Sequence, residues 1–229
     1  MNNKIVLLTC ILSIALGACS RDSEPTPASA PPASAPPPLM SQDPPEPLSP
    51  DSLARLVRPH SPVLGVAKAP VTVVEVLDPA CEACRAFAPV VHQLLFLYPD
   101  DVRVVVRFAD FHPGSAEAIR LLEAARMQGK FEPMLDALFE RQQEWAAHSA
   151  PDTARVWQIA GDIGVNVARA RKDAQAASVD DLLRIEAEDL LAIKVERTPT
   201  FFVNGKPLPT FGDQQLLDLV ASEVRNQKR

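Results

Sequence analysis

Two short apolar runs stand out against the rest of the chain. Val71 to Leu77 and Val102 to Phe108 are almost continuously apolar and rich in valine. Such runs, lacking the strict alternation of a half-buried strand, predict strands buried on both faces. Between them, a helix-compatible segment runs from Cys81 to about Tyr98, and Pro89 is expected to kink it by removing a backbone donor. Strand, crossover helix and strand predict a right-handed βαβ unit with parallel strands. A short edge strand, Val63 to Val66, is possible before it, and Ser49 or Asp51 can cap a short helix ending at Val57.

The period changes from about Pro113 to Glu196. Apolar residues now recur every three or four positions, as in Leu121, Ala125 and in Met134, Leu138. Five helices are predicted there: Ala116 to Met127, Phe131 to Trp145, Asp152 to Asp162, Asn166 to Gln175 and Val179 to Lys194. Trp145 and Trp157 read as packing residues of this block. Strand character returns at Thr200 to Val203, and Asn204-Gly205 is a strong hairpin signal with Lys206 to Leu208 as the return strand. A last helix is predicted from about Asp213 to Arg225.

The N-terminal region follows neither period. Lys4 is the only charge before an apolar run, Ile5 to Leu16, that is too short to span a bilayer comfortably. The run ends in Leu16-Gly17-Ala18-Cys19, which resembles the lipobox of bacterial lipoproteins. The resemblance implies a signal peptide over 1–18, lipidation at Cys19, and loss of Cys10 with the signal. Ser20, where an Asp is associated with inner-membrane retention, implies the outer membrane of a Gram-negative cell. An ordinary signal peptide or membrane anchor is the competing reading. Residues 20–50 then hold eleven of the 23 prolines and no glycine, a composition that cannot pack as helix or strand. Extended polyproline II would make residues 19–50 a stiff tether, with a Pro-rich partner ligand as the alternative. The folded domain is expected over 51–229.

The chain has 229 residues, 47% of them hydrophobic, enough for one sizeable core. Its net charge of −6 argues against a nucleic-acid partner, since such proteins usually carry a basic face.

The chemistry-bearing residues sit at the first strand–helix junction: Asp78-Pro79-Ala80-Cys81-Glu82-Ala83-Cys84. A sulfur at a helix N-terminus faces unpaired N–H groups and the positive end of the helix dipole, and both favour the thiolate. Cys81 takes that exposed place as the attacking thiol, and Cys84, one turn further in, resolves the mixed disulfide. Other readings of a CxxC exist. A structural zinc site needs four ligands, but the histidines (His60, His92, His112, His148) are scattered and there is no second pair of free cysteines. Haem attachment needs histidine where Arg85 stands. An inert disulfide remains open, although so short a loop constrains the unfolded chain little. No cofactor and no metal is expected.

Taken in order from about His60 to the last helix, these pieces resemble the DsbA-like branch of the thioredoxin superfamily. The resemblance rests on Ala69-Pro70-Val71-Thr72, on Glu75 and Asp78 before the CxxC, on Gly129-Lys130-Phe131 within the helical block, and on Thr198-Pro199-Thr200-Phe201-Phe202-Val203-Asn204-Gly205. It implies an α/β, thioredoxin-like fold with a helical insertion at about 113–196. It implies that Cys81 and Cys84 are the redox-active pair and that Pro199 has a cis bond beside them. That bond would expose the Thr198 backbone, so that a substrate strand can pair with it. It also implies that Glu75 is the buried acid that accepts the Cys84 proton through water. A surface position for Glu75 is the alternative, because its apolar neighbours do not reveal its face.

Two departures are visible. Glu82-Ala83 replaces the more common proline with an aromatic or histidine, and Arg197 replaces a common glycine. A negative charge at Glu82 should raise the Cys81 pKa, with Arg85 able to offset it, and predicts a less oxidising centre than DsbA itself.

The function implied is a thiol–disulfide oxidoreductase on the periplasmic side of the envelope. Its partners would be cysteine-containing envelope proteins and a membrane redox partner, with the membrane reached through the lipid anchor. Oxidase, reductase and isomerase share these residues. The polar, Pro-rich 20–50 segment disfavours the added dimerisation domain usual in isomerases. A non-catalytic binding module, either an unfolded-client chaperone or a Cu(I) carrier using the same groove and thiols, is the alternative.

Overall fold

The structure is a computed structural model that describes residues 48–147 and 149–229. The expected signal peptide, Cys19 and nearly all of the expected tether lie outside the described residues.

Five strands, β1 (Val63–Gly65), β2 (Val71–Leu77), β3 (Val102–Phe108), β4 (Thr200–Val203) and β5 (Lys206–Pro207), form one mixed sheet in the order β1-β3-β2-β4-β5. The β2–β3 pair is parallel, and the other pairs are antiparallel. The crossover helix α2 (Glu82–Leu97) joins β2 to β3. The central strands β2, β3 and β4 keep the bounds expected from their apolar runs. A run that must be covered on both sides has little freedom at its ends.

The helices are α1 (Pro50–Leu56), α3 (Ser115–Arg126), α4 (Phe131–Glu140), α5 (Gln142–Trp145), α6 (Thr153–Asp162), α7 (Val167–Asp173), α8 (Ala177–Ala192) and α9 (Asp213–Gln227). Ser49 caps α1 by accepting the Ser52 N–H, as its position predicts. Two expectations change. The helix expected over Phe131 to Trp145 breaks at Arg141 into α4 and α5, and Gln142, the first residue of α5, turns its side chain onto a distant loop. Pro89 does not interrupt α2, which continues through it for sixteen residues. Among the described residues no helix is long and apolar enough to cross a membrane.

The sheet has a different core on each face. Val71, Val73 and Leu77 of β2 pack with α2, α9 and the helical block. Val74 and Val76 pack on the opposite face with Leu56 of α1 and Leu190 of α8. Strand alternation therefore puts Glu75 under α2 and Arg107 of β3 under α1 and α8. The hairpin turn has Asn204 and Gly205 both at positive φ, 49° and 77°, as a type I′ turn requires. A Cβ on Gly205 would collide with Leu53 Cδ2, so α1 packs directly against this turn.

Candidate active site

The site begins where β2 ends. Asp78 is fully buried, and its carboxylate accepts the N–H groups of Ala80 (2.8 Å), Phe111 (2.8 Å) and His112 (3.0 Å). It also accepts the Ser115 hydroxyl and lies 2.8 Å from His112 Nδ1. These bonds lock the β2–α2 turn to the loop after β3. The Asp78 carbonyl accepts the Cys81 N–H at 3.0 Å, so Cys81 becomes the N-cap of α2. With no side-chain cap of its own kind, the helix end presents its free N–H groups to sulfur.

Both cysteines are free thiols. Cys84 is fully buried and accepts the Asp78 N–H at 3.4 Å. Cys81 keeps only 6% of its surface. This is a narrower opening than a helix-tip position suggests, and tertiary structure narrows it. Gln142 of α5 donates from Nε2 to the carbonyls of Pro79 (2.9 Å) and Cys81 (3.0 Å), clamping the turn from the helical block. From the other side, Cys81 Sγ donates to the Thr198 carbonyl at 3.4 Å. The Thr198–Pro199 peptide is cis. Position 199 thus lies beside the sulfur, 118 residues away in sequence.

A groove of ≈ 280 Å³ opens beside this loop, lined by Arg197, Pro199, Phe201, Leu208 and Phe211 among others. Phe87 of α2 stacks on both Phe201 and Phe211, at 5.4 and 4.8 Å, and ties the groove wall to the helix that carries the thiols.

The electrostatics separate the two sulfurs. The Cys81 thiol is lowered to about 5, chiefly by a hydrogen bond from Cys84, against the cost of its burial. The Thr198 hydroxyl and the N–H groups of Cys84 and Ala83 add to the lowering. The chief opposition is burial, and the charge of Glu82 expected to oppose the thiolate is not among the main causes. Arg85 Nε is buried and without a hydrogen-bond partner. Cys84 is pushed strongly up by burial and by its neighbours Cys81 and Glu75. Glu75 is 3% exposed, and burial alone raises it to about 8. Its carboxylate makes no hydrogen bond or ion pair within the described residues. Cys81 is the sulfur that gives up its proton more readily, Cys84 holds its own, and a buried carboxyl stands near the second.

A family model described as Thioredoxin matches residues 58–218. The chain belongs to the thioredoxin family. A thioredoxin-like oxidoreductase from Silicibacter pomeroyi DSS-3 is 30% identical, covering 78% of this chain and 99% of that one, with a TM-score of 0.65. Wolbachia pipientis alpha-DsbA1, at 15% identity, shares the fold with a TM-score of 0.67 over 78% of this chain and 99% of its own. The thioredoxin-like fold is thus of the DsbA-like kind, with the helical insertion between β3 and β4. The Na(+)/H(+) antiporter NhaA of Herminiimonas arsenicoxydans is 30% identical over 73% of this chain. The chain spans only about a quarter, 26%, of that relative's length.

Within this thioredoxin-family site, the fold gathers Glu75, Cys81, Cys84, Thr198 and Pro199. Cys19 lies outside the described residues. Sequence reasoning missed Gln142 and the extent of Asp78's role. Asp78-Pro79 was legible as a turn, but not as the anchor of the 109–115 loop. Gln142 carried no signal at all.

Proposed function

We propose that the protein is a thiol–disulfide oxidoreductase acting on protein cysteines in the bacterial cell envelope. One observation carries the reading: a thiol lowered to about 5 caps α2 and touches the Thr198 carbonyl at a cis proline. In the reductive direction the Cys81 thiolate attacks a client disulfide, forming a mixed disulfide and releasing one client thiolate. Cys84 passes its proton to the Glu75 carboxylate, attacks the Cys81 sulfur and releases the second client thiolate. The pair ends as a disulfide. The same steps reversed oxidise a client dithiol, so the reduction potential of the couple decides the physiological direction. The groove beside Pro199 holds the client, whose extended backbone pairs with that of Thr198.

In this proposal residues 1–18 are a signal peptide and Cys19 carries the lipid. Residues 19–50 tether the domain on the periplasmic side, at the outer membrane, and a membrane redox partner resets the couple. The lipobox-like Leu16-Gly17-Ala18-Cys19 and the proline-rich 20–50 segment support this part. The test is insulin reduction and peptide oxidation by wild type and Cys81→Ser. Turnover should fall by at least about a hundredfold, since the covalent step is lost. Activity surviving the substitution, or stoichiometric Cu(I) binding without turnover, would sink the proposal.

A further inference from the structure

Glu75 can serve Cys84 repeatedly only if its own proton can leave. Glu75 lines a narrow crevice between α2 and α4. The crevice is walled by Val91, Leu135 and Phe139, and His92 and Asp136 also line it. Its free volume is ≈ 10 Å³, about what one water molecule requires. His92 Nε2 lies 3.2 Å from Asp136 Oδ1, and both side chains are nearly half exposed, at 46% and 45%. The crevice thus runs from a buried, unpaired carboxyl to a half-exposed imidazole–carboxylate pair. Every other wall is apolar except Glu132, which is exposed. Glu140 acts on Asp136 from the same helix.

We infer that the His92–Asp136 pair is the proton exit of the site, relaying between Glu75 and solvent through the crevice between α2 and α4. The inference rests on the oxidoreductase reading and adds the route that reading lacks. The proton balance is simple. Cys84 S–H gives its proton to the Glu75 carboxylate, and the carboxyl gives it through one water to neutral His92. The imidazolium, held by the Asp136 carboxylate, then releases it to bulk water, and Glu75 is again an anion. In the oxidative direction the path runs inward and protonates the departing Cys84 thiolate. Histidine suits the post because its two ring nitrogens let it take a proton on one side and release it on the other. His92 and Asp136 touch neither sulfur, so their part is to serve Glu75.

The experiment is a single-turnover release of glutathione from a Cys81–glutathione mixed disulfide by Cys84, followed against pH. Wild type, Glu75→Gln, His92→Gln, His92→Ala, Asp136→Asn and the Glu75→Gln/His92→Gln double variant are compared. His92→Gln should slow release on the order of tenfold below pH 8. Added imidazole should restore His92→Ala, a response that a packing defect would not show. The double variant should be no slower than Glu75→Gln alone, the non-additivity expected of groups in one chain of transfer. A Cys81 thiolate titration that stays in place in His92→Gln would exclude a disturbed helix. Wild-type release with a His92→Gln profile superimposable on it overturns the exit route and leaves the oxidoreductase reading intact. A wild type that releases no glutathione overturns both.

Discussion

Glu75 and Arg107 occupy adjacent strands, one step apart in register, since Glu75 pairs with Val106 and Val76 with Arg107. Both are buried, at 3% and 0% exposure. Their surroundings are opposite. Arg107 faces the α1–α8 side, where it bonds Glu186 (2.9 Å) and Asp189 (3.0 Å) and donates to the Arg55 carbonyl. Arg55 and Arg58 bond the same Asp189, and His60 lies 3.0 Å from Glu186. Glu75 faces the α2 side with no ionic partner among the described residues. Burial raises Glu75 to about 8. Burial also pushes Asp189 up, but hydrogen bonds from Arg58, Arg107 and Arg55 overcome it and hold the group at about 2. A paired buried charge is structural and stays ionised, whereas an unpaired one becomes a proton carrier near the working pH.

The contrast is most open to attack at Arg107. Arg107→Met should cost about 3–5 kcal/mol, because Glu186 and Asp189 would remain buried without their partner. Urea denaturation reads this as a lower midpoint. A loss below 1 kcal/mol would mean that the cluster is already hydrated.

Glu75→Gln should have the opposite sign. The folded pKa of about 8 lies above the ordinary 4.5. The stability it confers is therefore complete below about pH 4.5 and is lost as pH rises to about 8. Removing the ionisable group should stabilise the protein at pH 8 by on the order of 3 kcal/mol, with the gain vanishing near pH 4. Asp189 mirrors it. Its depressed value makes stability present above 3.8 and lost as pH falls towards about 2. Unfolding followed from pH 2 to 9 should show wild type falling on both sides, and Glu75→Gln losing only the alkaline slope.

Gln142→Leu should be milder, at about 1–3 kcal/mol, because the Pro79 and Cys81 carbonyls would lose a buried donor. Thermal unfolding checks the stability. Faster alkylation of Cys81 by iodoacetamide would show the turn loosening. The smallest stability effect belongs to His92→Gln. The His92–Asp136 pair is exposed, so the change should stay within about 0.5 kcal/mol. A Tm shift of several degrees would make the pair a structural brace.

The βαβ unit, the late hairpin and the paired thiols were legible because each is written locally. Seven-residue valine-rich runs, Asn204-Gly205 and the Cys81/Cys84 spacing need no distant partner to be read. The role of Gln142 beside the break at Arg141 was not legible, because it bonds carbonyls some sixty residues away. Arg107 hid inside an apolar run for a similar reason. Its partners come from α1 and α8, and no period in β3 announces them.

By itself the chain's order of apolar and polar residues determined the central strands, most of the helices, and the place of two sulfurs at one helix start. Hydrophobic periodicity and turn chemistry act over a few residues, and those decisions need no more. Which face Glu75 points to, how little of Cys81 is left open, and which groups share the crevice with the acid were decided only when strands and helices packed. Burial and pairing set a proton's affinity, and both depend on neighbours that the linear order does not name.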